Sequence, residues 1–235
     1  MIKLTTQQLA QILNANLIGD GQAVVENINT DTRKAVSNSL FFALKGEHFD
    51  AHQYLDKAVE QGATALVVQH ANTEIVTPQL VVTDTRLALG QLAKWLREKI
   101  NPRTVAMTGS SGKTTVKEMT ASILQQTAGN PEAVLFTNGN FNNDIGVPLT
   151  LLRLTEQHKF AVIELGANHQ GEIDYTTQLA QPEAALVNNV AAAHLEGFGS
   201  IEGVARAKGE IYRGLTPNGV AIINSEHNYI ELWQK

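Results

Sequence analysis

Leu9, Ile12 and Leu13 recur at helical spacing behind Thr5-Thr6-Gln7-Gln8, a stretch with the Thr-x-x-Gln form of a capping box, so the chain is expected to open with a short helix. Two strand-like runs follow, Val24–Thr30 and Leu40–Leu44. The segment Asp50–Gln61 reads as a helix halted by Gly62. Ala65–Val68 and Leu80–Thr83 are compact apolar strands. Asp84 is placed to cap a longer helix, in which Leu89, Leu92, Ala93, Leu96 and Ile100 share a face. Asn101-Pro102 then breaks the pattern, and a boundary between domains 1–101 and 102–235 is expected there.

A regular alternation begins after Pro102. Strands are expected at Thr104–Thr108, Ala133–Thr137, Phe160–Leu165, Ala184–Val190 and Gly219–Asn224. Helices are expected between them at Lys113–Gln126, Val147–Leu154 with Pro148 in its first turn, Glu172–Ala180 and Ile201–Leu215. Strand and helix in strict turn imply an α/β fold with a mostly parallel sheet covered on both faces. No internal repeat or low-complexity stretch interrupts it.

Composition narrows the class. The 235 residues are 43% hydrophobic with a formal charge of −5, which suits a folded protein and gives no basic block for nucleic acid. There is no cysteine, hence no disulfide and no thiolate metal site. MIKLTTQQLAQIL turns polar too early for a signal peptide, and no run approaches the roughly 18 apolar residues of a membrane helix. A cytoplasmic protein, without membrane insertion, is expected.

The most informative segment is Val105-Ala106-Met107-Thr108-Gly109-Ser110-Ser111-Gly112-Lys113-Thr114-Thr115. It follows an expected strand and opens an expected helix, the setting of a phosphate-binding loop. Its glycines let backbone N–H groups turn toward phosphate oxygens, Lys113 is positioned for the β- and γ-phosphates of ATP, and the Thr114 hydroxyl for Mg²⁺. One departure stands out: the common pattern has glycine five residues before the Gly-Lys pair, and this chain has Met107. Glu164 closes an apolar strand, and a carboxylate at the C-terminal end of a parallel strand faces the ligand crevice, so it is a candidate Mg²⁺ ligand as well as a candidate cap or ion-pair partner. His194 lies just past the next strand, although a lone histidine is more often structural. By composition alone the Asn cluster of residues 138–143 is a polar turn, and Ala207-Lys208-Gly209-Glu210 a charged helix face.

The T-G-x-x-G-K-T-T form of Thr108–Thr115 resembles the Mur ligases and the related folylpolyglutamate synthases, which activate a carboxylate with ATP as an acyl phosphate before an amine attacks it. The phrases GNFNNDIGVPLTLL, ELGANHQGEI and AAAHLEGFGS extend the resemblance over nearly the whole chain, toward the branch that joins D-alanyl-D-alanine to a UDP-N-acetylmuramoyl-tripeptide. The resemblance implies ATP held by Thr108, Gly109, Ser110, Ser111, Gly112, Lys113, Thr114 and Thr115 with Asn143. It implies Mg²⁺ on Thr114, Glu164 and His194, and on Lys208 if that lysine is carbamylated, with Lys113, Glu164, His194 and Lys208 as the catalytic set. It implies a small N-terminal UDP-substrate domain using Thr30, Asp31, Thr32, Arg33, Lys45, Gly46, Asp50 and His52, joined by Asn138 and Asn140 of the second domain. A second Asp-Thr-Arg, at Asp84–Arg86, opens a helix and reads as a cap. The family also has a third, C-terminal domain, to which nothing here corresponds, so a truncated central sheet and an inactive fragment are expected; a monomer is expected as well. A diaminopimelate- or lysine-adding ligase and a non-catalytic nucleotide-binding fragment stay open as alternatives.

Overall fold

In the computed structural model, which describes residues 2–192, 195–224 and 228–234, the chain divides into two units, Met1–Trp95 and Leu96–Lys235. The first unit contains β1 (Leu4–Thr5), α1 (Thr6–Leu13), β2 (Asn16–Ile18), β3 (Val24–Val25), β4 (Asn27–Asn29), β5 (Ser39–Phe42), α2 (Leu55–Glu60), β6 (Ala63–Val68), β7 (Gln79–Val81) and the start of α3 (Thr85–Ile100). Its main sheet runs β2-β7-β6-β5-β4, parallel except for β2 against β7. The capping box forms as expected: the Gln8 N–H donates to Thr5 Oγ1 at 3.2 Å, and the Thr5 N–H to Gln8 Oε1 at 2.9 Å. Asp84 caps α3 by accepting from the Arg86 and Leu87 N–H groups.

Two expectations needed correction. The run Val24–Thr30 is split, because the Glu26 and Asn27 N–H groups both donate to the Asn38 carbonyl and kink the chain. As a result β3 pairs antiparallel with β1, and β4 pairs with β5 in the main sheet. The segment expected as one helix from Asp50 begins as a 3₁₀ turn, Ala51–Tyr54, because the Asp50 carboxylate captures the His52 N–H and tightens the entry. Phe41, Leu66, Val68, Leu55 and Ala58 form the core between sheet and α2. The loops that follow β4 and β5 leave the same edge of the sheet, the carboxyl edge of two adjacent parallel strands.

The second unit contains β8 (Arg103–Thr108), α4 (Lys113–Ala128), β9 (Val134–Phe136), α5 (Gly146–Leu151), β10 (Phe160–Glu164), α6 (Glu172–Ala180), β11 (Ala184–Val187), α7 (Leu195–Phe198), α8 (Ile201–Gly209), β12 (Val220–Ile223) and α9 (Ile230–Trp233). All five strands are parallel, in the order β12-β11-β8-β10-β9. The helix expected to reach Leu215 gives way at Gly209 to a 3₁₀ turn, Glu210–Gly214. There the Trp233 ring occupies the space that a side chain on Gly209 would need. β11 stops at Val187 because Asn188 and Asn189 turn toward the loop that follows β8. The border between units falls inside α3 because Arg97, in its last turn, is buried in the second unit and donates to the Ala180 carbonyl at 2.8 Å and the Gln181 carbonyl at 2.8 Å. Among the described residues no helix is long and apolar enough to cross a membrane.

Met107 explains the departure from the common phosphate-loop pattern. It is a buried strand residue, flanked in register by Glu164 of β10 and Leu186 of β11, and it packs with Val134, Val162 and Ala121. The position belongs to the sheet core, and the loop starts at Gly109. Met107→Gly is therefore expected to lower the unfolding free energy of this unit by about 3 kcal/mol or more, from the cavity and the lost strand propensity. Urea unfolding compared with the parent chain checks this.

Candidate functional site

The loop Gly109–Gly112 lies at the carboxyl end of β8, with β10 and β11 on either side. Gly112 takes φ 71°, in the left-handed region, and caps α4; a side chain there would meet Asn188 Nδ2 at 2.8 Å. The loop is braced by the two asparagines beyond β11. The Ser110 N–H donates to the Asn189 carbonyl at 3.1 Å and the Ser111 N–H to Asn189 Oδ1 at 2.9 Å, while Asn188 and Asn189 both donate to the Ser111 carbonyl. Ser110 Oγ donates to the Ala191 carbonyl and accepts from the Ala191 N–H. Lys113 Nζ folds back onto the Gly109 carbonyl at 2.8 Å. Thr108 Oγ1 is buried at the mouth of the loop with no hydrogen-bond partner. Thr115 is exposed on the first turn of α4.

Glu164 is the hub of the site. It is 2% exposed at the end of β10. Thr114 Oγ1 donates to its Oε2 at 3.0 Å and Asn142 Nδ2 to its Oε1 at 2.8 Å. Its own N–H donates to Thr137 Oγ1 at 3.0 Å. The 3.0 Å between the Thr114 and Glu164 oxygens suits Mg²⁺, whose octahedral ligands at 2.0–2.1 Å lie about 2.9 Å apart along an edge. Lys208, on α8, is buried, with its Nζ 5.6 Å from the centre of the Phe198 ring. Burial pulls its ammonium down to about 8; the Lys113 charge adds to this, and Glu172 and Glu210 oppose it. His194 lies outside the described residues, and among those described no group of three His, Cys, Asp or Glu converges as a metal site would require.

The Asn cluster divides its work. Asn142 reaches Glu164, whereas Asn143, just ahead of α5, accepts from the Gly146 N–H at 2.7 Å. Asn138 and Asn140 are exposed. Gly146 is required sterically, since a Cβ there would sit 2.4 Å from the Phe141 carbonyl carbon.

In the first unit, the residues expected to meet one substrate line two cavities. Thr30, Asp31, Thr32 and Arg33 border a cavity of about 510 Å³, together with Phe49, Tyr54 and Lys57. Arg33 grips Asp31 with two bonds, of 2.8 and 2.9 Å, and this pairing holds the Asp31 carboxyl down to about 2. Phe49 and Tyr54 stack at 5.3 Å, nearly parallel and both exposed, which leaves a flat aromatic wall. Lys45, Asp50 and His52 line the second cavity, of about 400 Å³. His52 is fully engaged there: Nδ1 meets Asp50 Oδ1 at 2.6 Å, and Nε2 accepts from the Gln69 N–H at 2.9 Å. The ring proton therefore sits on Nδ1, and the imidazole braces the loop. Gly46 lines neither cavity; its N–H donates to the Phe49 carbonyl at 2.8 Å and closes the turn that presents Phe49.

Residues 107–235, more than half of the chain, match the family model described as the Mur ligase middle domain. The chain belongs to the Mur ligase family. Residues 24–97 match a second model, described as Mur ligase family, catalytic domain. Among curated relatives, the chain is 80% identical over 235 residues to the UDP-N-acetylmuramoyl-tripeptide–D-alanyl-D-alanine ligase of Haemophilus influenzae, covering 100% of this chain and 51% of that protein. It is 58% identical to the enzyme of the same name from Escherichia coli, covering 100% of this chain and 50% of that one. Among solved structures, MurF from Acinetobacter baumannii superposes with a TM-score of 0.94 at 45% identity, covering 100% of this chain and 51% of that one. MurF ligase from Thermotoga maritima, solved in complex with ADP, gives 0.80 at 28% identity, covering 89% and 48%. The chain spans about half the length of the curated relatives it matches.

Within each unit, the candidate site also brings in residues that the pattern of the sequence did not single out. Asn188 and Asn189 end a parallel strand beside β8, and the same positional argument that marks Glu164 would have marked them. Thr137 and Lys117 bond through backbone and core, where no motif points. Phe49 and Tyr54 flank a 3₁₀ turn, so no helical or strand spacing pairs them. Gly146→Ala is expected to displace Phe141 and Asn142 and to release Glu164 Oε1 from its donor. A crystal structure of the variant checks the displacement, and an unmoved Asn142–Glu164 bond would refute it.

Proposed function

We propose that this chain forms the UDP-substrate and ATP-binding portions of a ligase that joins D-alanyl-D-alanine to UDP-N-acetylmuramoyl-tripeptide. The observation that carries the reading is the Thr114–Glu164 pair, two hard oxygens 3.0 Å apart beside a glycine loop at the carboxyl ends of parallel strands. The ADP complex of the Thermotoga maritima relative and the names of the Haemophilus and Escherichia enzymes support it.

In this reading the loop amides, Thr108 Oγ1 and the α4 N-terminus receive the phosphates of ATP. Lys113 leaves the Gly109 carbonyl to lay its charge on them. Thr114, Glu164 and His194 would hold Mg²⁺, which when bound would supply positive charge to the transferring phosphoryl group. The tripeptide carboxylate takes that group to give an acyl phosphate and ADP. The amine of D-alanyl-D-alanine then displaces inorganic phosphate and loses a proton. The neutral amine of Lys208, whose ammonium burial pulls down to about 8, would add to CO₂ and release one proton, and the resulting carbamate would offer an anionic oxygen donor for such a metal. In the first unit, the Phe49–Tyr54 wall offers a stacking face for uracil, with Arg33 and Lys57 at the same cavity for the diphosphate. A second reading, a nucleotide-binding segment without turnover of its own, is favoured by the half-length match. For the 235-residue chain alone we expect nucleotide binding and no multiple-turnover ligation.

The decisive test is a chimera in which these 235 residues replace the matching half of the Haemophilus influenzae enzyme. Lys113→Ala in that chimera should cut ligation about a hundredfold or more while leaving thermal unfolding unchanged; turnover within about tenfold of the parent would reject the assignment. Lys208 makes a separate prediction. With ¹³CO₂ the parent should show a carbamate resonance that Lys208→Met lacks. Because only the neutral amine reacts, the signal should fade as the pH is taken from about 8 to about 6 at fixed dissolved CO₂. A resonance indifferent to both changes would exclude this lysine.

A further inference from the structure

Lys117 is the least expected residue of the second unit. It is 1% exposed, on α4, between the helix and the sheet. Lysine is almost never fully buried unless it is paired, and removing an ammonium from water costs several kcal/mol. A methionine would fill the same space without that cost. What the ammonium adds is bonding. Its Nζ donates to the Thr137 carbonyl at 2.7 Å, meets the half-exposed Glu118 carboxylate at 2.7 Å, and lies 5.7 Å from the centre of the Phe136 ring.

Thr137 is where these bonds converge. Its carbonyl accepts from Lys117, its N–H donates to the Val162 carbonyl at 3.1 Å, and its Oγ1 accepts from the Glu164 N–H. The chain then enters the segment that carries Asn142 to Glu164 Oε1. Thr114 and Lys117 are three residues apart and share a face of α4. The helix therefore fixes Glu164 twice: directly through the Thr114 hydroxyl, and through Lys117 and Thr137 at the Glu164 backbone.

We infer that Lys117 is a positioning residue for the Glu164 carboxylate, fastening the phosphate-loop helix to the end of β9 so that loop, threonine and glutamate form one rigid metal-binding edge. The consequence for metal binding rests on the functional reading above; the mechanical link does not. Hydrogen exchange on the nucleotide-free 235-residue chain tests the link. Lys117→Met should speed exchange in residues 137–145 and at Glu164, with β8 and the rest of α4 unchanged. Calorimetry with ADP tests the consequence. The variant should bind ADP as the parent does in EDTA, yet need about tenfold more Mg²⁺ for the tightening that the metal brings, and Lys117→Arg should restore part of it.

Unchanged exchange, exchange raised uniformly across Leu96–Lys235, or an unaltered Mg²⁺ requirement would each overturn the inference. If Lys117→Met does not fold, Thr137→Val removes the hydroxyl on the Glu164 N–H and must give the same local exchange and Mg²⁺ shift, or the inference fails. A parent chain that binds no ADP with Mg²⁺ present would count against the functional reading, and the exchange experiment would still decide the role of Lys117.

Discussion

A carboxylate withdrawn from water has to find donors for both of its oxygens, and the second unit is organised around meeting that need for Glu164. Thr114 serves one oxygen and Asn142 the other. These two donors come from different connections, one after β8 and one after β9, so the carboxylate can be satisfied only if three neighbouring strands end at the same level. Parallel pairing in the order β8-β10-β9 ensures this. The connection after β8 then places α4 against the sheet with its N-terminus at the same edge. The local demand of one buried side chain and the global demand of the topology point to the same arrangement, as they should in a sequence with one dominant fold.

Much of this was legible in the sequence, and the reasons differ from element to element. Strand and helix alternate after Pro102 because the interior strands β8, β10 and β11 are largely buried and the main helices bury one face, and burial writes itself directly into periodicity. The phosphate loop was legible because Gly112 must adopt φ 71° and lysine must follow it. The caps at Thr5 and Asp84 were legible because they act within three residues. What escaped depends on distance along the chain. Lys117 and Thr137 are 20 residues apart, and Ser111 and Asn189 are 78 apart, so neither pair leaves a local mark. The break at Glu26 depends on the Asn38 carbonyl, which only the folded sheet brings there.

The first unit teaches a related lesson about grouping. The family resemblance groups Thr30–Arg33 and Lys45–His52 as one binding set, and both segments follow strands of a parallel sheet. The folded loops separate them: the His52 ring is consumed between Asp50 and the Gln69 N–H, and the turn at Gly46 swings Phe49 toward Tyr54. Shared position at a sheet edge brings residues near one another, but hydrogen bonding decides which of them remain free for a ligand.

The phosphate loop has a thermodynamic character of its own. Two of its N–H groups and its lysine are already satisfied, by Asn189 and by the Gly109 carbonyl. An incoming phosphate therefore exchanges partners more than it gains them, as water does when one solute displaces another. To receive an anion the loop would give up these internal bonds, and would remake them once the anion left. Such a cradle would favour release of its occupant over tenacious retention, because most of the bonds lost with the anion, that of Thr108 Oγ1 aside, would be remade within the loop.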